Sequence, residues 1–248
     1  MRLVAITLRF LLTVLVMPVA TAVAAISAIA IHAVSPGSSA IQGVTNSWSR
    51  LWLAVTGTRL TVRGTVTDTG RPYIVISNHG SWLDIMANFL AVPLPLRFLS
   101  KKELFRVPLM GQAMRALGMV EIDRERAGSM HDAINDGVAR VAARGESVMV
   151  YPEGTRTRTG EMRPFKKGAF RMAIDNQLPI LPMTISGSYD AWPAGKLPRG
   201  GHLLVEVGEP IPTEGLGRED IADLAHRAEQ VVRETRERLD REQVTARA

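Results

Sequence analysis

Cysteine is absent from all 248 residues, so there is no disulfide framework, no thiolate nucleophile and no cysteine-based metal site. That absence leaves the compartment open, because oxidation has nothing to act on. Aromatic residues are scarce at 5%, and neither zinc-finger spacing nor a basic base-reading helix occurs, which argues against nucleic acid as a partner. The third scarcity is local. From Phe10 through Ser49 there is no Asp, Glu, Lys or Arg, although the chain as a whole is 22% charged. The remainder carries nearly all the charge, with a net value of +6 that favours anionic partners such as a membrane surface or a phosphorylated substrate.

Phe10 to Val34 is an uncharged run that follows Arg2 and Arg9. As a helix it reaches roughly 37 Å, enough for a hydrocarbon core of about 30 Å. A secretory signal peptide looks similar, but its apolar region is shorter, at about 7–15 residues. Membrane anchoring is the expectation. Arg2 and Arg9 favour an inside N-terminus, and a single crossing would put the rest of the chain outside. Pro18 and the Pro36-Gly37-Ser38-Ser39 stretch instead predict two shorter helices, the second covering Ile41 to Val55 with Trp48 and Trp52 suited to the interface. A hairpin dipping into one leaflet keeps everything on one side, and it is the reading preferred here.

Beyond residue 57 the pattern alternates. Strand-like runs fall at Leu60–Arg63, Tyr73–Ser77, Arg97–Ser100, Met119–Ile122, Ser147–Tyr151, Ile180–Ser186 and Leu203–Val207. Helical stretches lie between them at Trp82–Leu90, Leu104–Ala116, Met130–Ala143, Gly168–Asn176 and Glu219–Leu239. This predicts an α/β fold: a single mixed or largely parallel sheet flanked by helices, behind an N-terminal membrane-embedded helical segment. The expected division is 1–56 for the anchor and 57–248 for the α/β domain with its C-terminal amphipathic helix.

Two segments carry chemistry. In Ser77-Asn78-His79-Gly80-Ser81-Trp82-Leu83-Asp84, a histidine and an aspartate are separated by four residues. Within one helix they would point about 140° apart and could not meet. With Ser81 as N-cap and Asp84 at the third helical position, His79 lies in the preceding loop and Asp84 reaches one imidazole nitrogen, leaving the other free as a base. The plainer alternative is that Asp84 only caps its helix and His79 is an ordinary loop histidine. His32, His131, His202 and His226 show no metal-ligand spacing. In Tyr151-Pro152-Glu153-Gly154-Thr155-Arg156 a strand runs into Pro152, Gly154 permits close backbone approach, and Arg156 suits a phosphate. A surface turn with solvated charges is the alternative there. Ser81 and Thr155 as acylated nucleophiles are explained more simply by capping and turn formation.

Together these blocks resemble the glycerolipid acyltransferase family over roughly residues 57–215. The blocks, in the family's order, are Asn78-His79-x4-Asp84, then Gly118-Met119-Val120-Glu121-Ile122-Asp123-Arg124 after Ser100-Lys101-Lys102-Glu103-Leu104. Tyr151 to Arg156 follows, continued by Pro164-Phe165-Lys166-Lys167-Gly168, and Leu181-Pro182-Met183-Thr184 is the last. Glu121 departs from a usually apolar or aromatic position, and Tyr151 from one that is often Phe. The resemblance implies His79 as general base and Asp84 as its partner. It implies Glu153, Gly154, Thr155 and Arg156 around the acceptor's phosphate, with Lys101 and Arg124 as further cations. It also implies acyl transfer from acyl-CoA or acyl carrier protein to 1-acylglycerol 3-phosphate or another lysolipid such as a lyso-ornithine lipid, with no metal or other cofactor. Donor thioesters are made in the cytoplasm, so the cytoplasmic face of the cell (inner) membrane is expected. A catalytically silent membrane protein that binds anionic lipid, and a metal-dependent phosphohydrolase, are the rivals from other classes.

Overall fold

The computed structural model describes residues 2–122 and 130–245. The chain opens with two helices, α1 (Arg2–Val34) and α2 (Ala40–Val55). Strands β1 (Thr58–Arg63) and β2 (Ile74–Ser77) follow, then α3 (Leu83–Ala91), β3 (Leu96–Lys101), α4 (Lys102–Phe105), α5 (Met110–Ala116) and β4 (Val120–Ile122). The remainder is α6 (Met130–Ala142), β5 (Ser147–Val150), α7 (Gly168–Asp175), β6 (Ile180–Ser186), α8 (Ser188–Ala191), β7 (Gly201–Val207) and the long α9 (Ile221–Thr245), which a short 3-10 turn at Arg218–Asp220 introduces.

The strands form one sheet in the order β1-β7-β6-β2-β5-β3-β4. β6, β2, β5, β3 and β4 are mutually parallel, while β7 pairs antiparallel with β6 and β1 parallel with β7. The sheet is therefore mixed and largely parallel. β2 sits inside it with Ile74, Val75 and Ile76 fully buried, as a strand covered on both faces requires. Val75 points with Met149, Leu181 and Val205 into a core shared with Leu53 of α2 and with Leu83 and Met86 of α3. Ile74 and Ile76 point the other way, toward Val138 and Val141 of α6, Phe170 of α7, and Leu224 and Val232 of α9. Burying each such aliphatic side chain contributes about 1.5–3 kcal/mol relative to exposure. Three layers result, with the sheet in the middle.

The outgoing connections of the adjacent strands β2 and β5 leave on opposite faces: α3 lies in one apolar layer and α7 in the other. A crevice opens at the carboxyl ends of such strands, which is where open α/β sheets place their ligands.

At the N-terminus α1 runs unbroken through Pro18. The chain breaks instead at residues 35–39, where Pro36 cannot continue the helix and Gly37 turns it at φ 80°. From Ile6 to Val34, α1 is long and apolar enough to cross a membrane, and only 17% of its most apolar window is buried. α2 buries Ile41, Thr45, Ser49 and Leu53 on one stripe. It packs against α1, α3 and β1, with Trp48 Nε1 donating to Thr21 Oγ1 of α1 at 3.0 Å.

One predicted helix is two. Leu104–Ala116 was expected to be continuous, but Pro108 separates α4 from α5. Leu109 takes φ 64° in the turn, and Gly111 lies so close to Phe105 that any Cβ there would collide with its carbonyl oxygen. Gly111→Ala should therefore cost about 1–3 kcal/mol, as overpacking does. Denaturant unfolding in detergent checks this, with Gly168→Ala, where a Cβ meets open space, as the neutral reference.

Candidate active site

His79 follows β2 on a loop held from three directions. Its backbone N–H donates to Glu153 Oε1 at 2.7 Å, and its carbonyl accepts the Thr157 N–H at 3.0 Å. Just before it, the Asn78 side chain continues the β2–β6 pairing: Nδ2 donates to the Ile185 carbonyl and Oδ1 accepts the Ile185 N–H, both at 2.8 Å.

The side chain is set from α3. His79 Nδ1 lies 2.8 Å from Asp84 Oδ2, and the same oxygen accepts the N–H groups of Gly80 at 2.7 Å and Ser81 at 2.8 Å. Ser81 Oγ accepts the Leu83 N–H at 3.2 Å, but the expected serine N-cap is shifted: α3 starts at Leu83 with Trp82 at its N-cap, and Asp84 is its second residue and not its third. Asp84 thus braces the loop before its helix and grips the imidazole with the same oxygen. Its side chain is 0% exposed and His79's is 13% exposed. An ionised carboxylate only accepts hydrogen bonds, so the contact places the imidazole proton on Nδ1 and a lone pair on Nε2. Among the described residues nothing bonds Nε2.

Against the imidazole lies Tyr151. Its ring stacks at 3.8 Å between centroids with planes 8° apart. The Tyr151 hydroxyl accepts from Asn88 Nδ2 at 2.9 Å, and Asn88 follows Asp84 by one turn of α3. Burial, reinforced by the Asp84 charge, pushes the Tyr151 phenol well above its ordinary value, with the Asn88 bond opposing, so it stays neutral. The departure from Phe at this position therefore has a partner in Asn88.

Arg156 comes from the loop after β5. Its guanidinium lies 3.8 Å from the centroid of the Trp82 ring, a cation–π stack, and its buried Nη1 has no hydrogen-bond partner among the described residues. Burial pulls the Arg156 guanidinium below its ordinary value while the nearby Asp84 charge pushes it back. Trp82 itself is 49% exposed. Gly154 takes φ 75° beneath the Lys166 side chain, and Thr155 is exposed.

Glu153 corrects an expectation. It was expected beside the acceptor's phosphate, yet it is 1% exposed and both its oxygens are occupied: Oε1 by the His79 N–H and Oε2 by the Arg163 N–H at 2.8 Å. Burial pushes this carboxyl up, and the two amides pull it back. Its geometry is that of a clamp between loops. Lys101 ends β3 exposed, and among the described residues no hydrogen bond or ion pair joins it to the His79 or Arg156 loops. Glu121 is exposed on the sheet-edge strand β4. Arg124 and His131's side chain lie outside what is described. Among the described residues no group of three or more His, Asp or Glu is arranged to hold a metal ion.

A base with its carboxylate at a sheet's carboxyl edge, beside a guanidinium with a free donor, suits acyl transfer. Residues 59–186 match the Acyltransferase family model, and the chain belongs to that family. Human 1-acyl-sn-glycerol-3-phosphate acyltransferase alpha is 37% identical over 174 residues, 69% of this chain and 61% of the relative. The 1-acyl-sn-glycerol-3-phosphate acyltransferase of Saccharomyces cerevisiae is 35% identical over 160 residues, 63% of this chain and 53% of the relative. The chain thus matches between about half and three fifths of these relatives' length. The solved structure of the 1-acyl-sn-glycerophosphate (LPA) acyltransferase PlsC from Thermotoga maritima superposes with a TM-score of 0.79, covering 96% of this chain and 98% of that one at 24% identity. At that identity the likeness is one of fold.

Asn78, Trp82, Asn88, Tyr151 and Thr157 were given no role by sequence reasoning. The Tyr151 stack and the Glu153 clamp each carry a prediction. Tyr151→Phe should keep most of the activity, whereas Tyr151→Leu, which loses the stack, should lower kcat about 10- to 100-fold with KM little changed, consistent with general-base catalysis worth 10²–10⁴-fold. Glu153→Gln leaves a buried amide facing an NH₂ group and should cost about 1–3 kcal/mol in kcat or stability. If Glu153 instead touched phosphate, its loss would show chiefly in the acceptor's KM.

Proposed function

We propose that this protein is a membrane-bound O-acyltransferase that moves a fatty acyl group from acyl-CoA or acyl carrier protein to the free hydroxyl of 1-acylglycerol 3-phosphate, giving phosphatidate. The observation that carries it is the 2.8 Å His79 Nδ1–Asp84 Oδ2 contact, which presents Nε2 as a base next to the Arg156 loop. Nε2 takes the hydroxyl proton and the oxygen attacks the thioester carbonyl. A new C–O bond forms, the C–S bond breaks, and the imidazolium returns its proton to the departing sulfur. Asp84 steadies the imidazolium in between. Direct transfer of this kind needs no cysteine, of which the chain has none.

Arg156 carries the phosphate recognition in this reading: it has an unpaired buried donor, and guanidinium binds phosphate more strongly than neutral donors do. Lys101, at the end of β3, and Arg124 are further cations for the acceptor. The helical pair α1–α2 supports the hairpin reading, since α2 holds α1 against the domain by packing on α3. On that reading the anchor stays on the site's side of the inner membrane, and supply of the thioesters puts that side in the cytoplasm.

Thiol release by detergent-purified protein tests the proposal. It should require both acyl-CoA, or acyl carrier protein thioester, and 1-acylglycerol 3-phosphate, should persist in chelator, and should fall about 10²- to 10⁴-fold in His79→Ala. Arg156→Ala should erase the preference for the phosphorylated acceptor over 1-acylglycerol. Absence of thiol release with every lysolipid would favour the non-catalytic lipid-binding reading.

A further inference from the structure

The turn between α4 and α5 is built outward. Phe105 is 4% exposed and plugs α4 into the domain, while its neighbours Leu104 and Val107 stand 39% and 44% exposed. The turn is braced. The Gly111 N–H donates to the Val107 carbonyl at 2.8 Å, the Leu109 N–H to Gln112 Oε1 at 2.6 Å, and Arg115 Nη2 to the Phe105 carbonyl at 3.1 Å. The Arg115 guanidinium also lies 5.6 Å from the Phe105 ring centroid. Leu109 holds φ 64°, a conformation costly for a non-glycine residue and kept only where its surroundings enforce it. A braced turn keeps its apolar tip exposed, which water alone does not favour.

Charge and position identify what covers it. From Lys101 to Ala116 there are four cations, Lys101, Lys102, Arg106 and Arg115, against the single acid Glu103. Lys101, Arg106 and Arg115 are exposed. α5 packs against α1, whose outward face carries Leu8, Leu11, Leu15, Val19 and Val23 in the open. The apolar tip is thus joined through α5 to the helix that carries this exposed apolar face, and cations outnumber acids along the segment that bears it.

We propose that the α4–α5 turn is a second membrane contact that docks on a leaflet bearing anionic headgroups. Leu104 and Val107 enter the boundary of the acyl region, and Arg106 and Arg115 lie among the headgroups. This rests on the membrane reading of α1 and adds a contact outside the anchor. It also places the end of β3, with Lys101, at the level where a lysolipid headgroup leaves the leaflet.

The cysteine-free chain makes the test direct. Spin labels on Leu104→Cys and Val107→Cys in phosphatidylcholine–phosphatidylglycerol vesicles are compared with labels on Leu15→Cys of α1 and Val231→Cys of α9, on the opposite face of the sheet. Collisions with oxygen and with a water-soluble nickel chelate report depth. The proposal expects the labels at 104 and 107 to lie about 5–10 Å below the headgroup boundary, as an interfacial apolar face does, with the label at 231 in water. Arg106→Glu should make the label at 107 shallower; unchanged depth would overturn the role given to anionic headgroups. A label at 15 in lipid with 104 and 107 in water would overturn the proposal and leave the anchor reading intact. Water exposure at 15 as well would sink both. Labels at 104 and 107 shielded from oxygen and nickel alike would mean that protein, such as a second copy of the chain, covers the turn, and would overturn the proposal.

Discussion

One carboxylate oxygen organises the centre of this molecule. Asp84 Oδ2, on a side chain with no exposure, gathers the N–H groups of Gly80 and Ser81 and the imidazole of His79. A buried charge without partners would be expensive; three donors on one atom make it tolerable and also dictate where those donors stand. The loop turns because the Gly80 and Ser81 N–H groups point inward to that oxygen just ahead of α3, and the imidazole has one proton position and one orientation. Structural and chemical duties of Asp84 are the same three bonds.

Around this atom, α3 and the β5 loop act as two halves of a vice. α3 contributes Asp84 at the edge of the imidazole and Asn88 to the tyrosine stacked on its face, while Glu153 and Thr157 hold the backbone of His79 from the other side. The adjacency of β2 and β5 makes this possible, because their carboxyl ends deliver both loops to one crevice. Few groups move freely there, which is the condition that the proposed base would need to meet a substrate at hydrogen-bond distance.

Much of this was legible in the residues. The seven strand-like runs all correspond to strands, since apolar β-branched runs between turn signals have few other uses. The His79–Asp84 contact was legible because Asp84 falls in the first turn of a helix that begins just after the His79 loop, although that helix starts at Leu83 behind Trp82 and not behind a serine N-cap. Glu153 was misjudged for a different reason. A carboxylate in a basic loop shows its charge in the sequence but not its direction, and here it turns inward to backbone amides that no motif names. The Tyr151–Asn88 and Arg156–Trp82 contacts were hidden likewise, being pairs distant in sequence that only the sheet brings together. The Leu104–Ala116 stretch, read as one helix, is interrupted at Pro108, whose lack of an N–H and restriction of the preceding residue the periodicity overlooked.

The foot of α1 has a consequence of its own. Arg9 reaches the Arg199 carbonyl, and Gly57 and Gly200 leave room for its guanidinium where a Cβ would meet it. With Trp48 bonded to Thr21 farther along and α2 lying on α3, the anchor is fastened to the domain at several points along its length. It is a strut, not a tether. On the proposed membrane reading, a lipid layer that took hold of α1 would take hold of the His79–Asp84 pair at a set altitude and tilt, and the distance from imidazole to acyl boundary would become a property of the protein's rigidity. Thinner or thicker bilayers would then have to deform around the protein, or offer an acceptor hydroxyl at the wrong height.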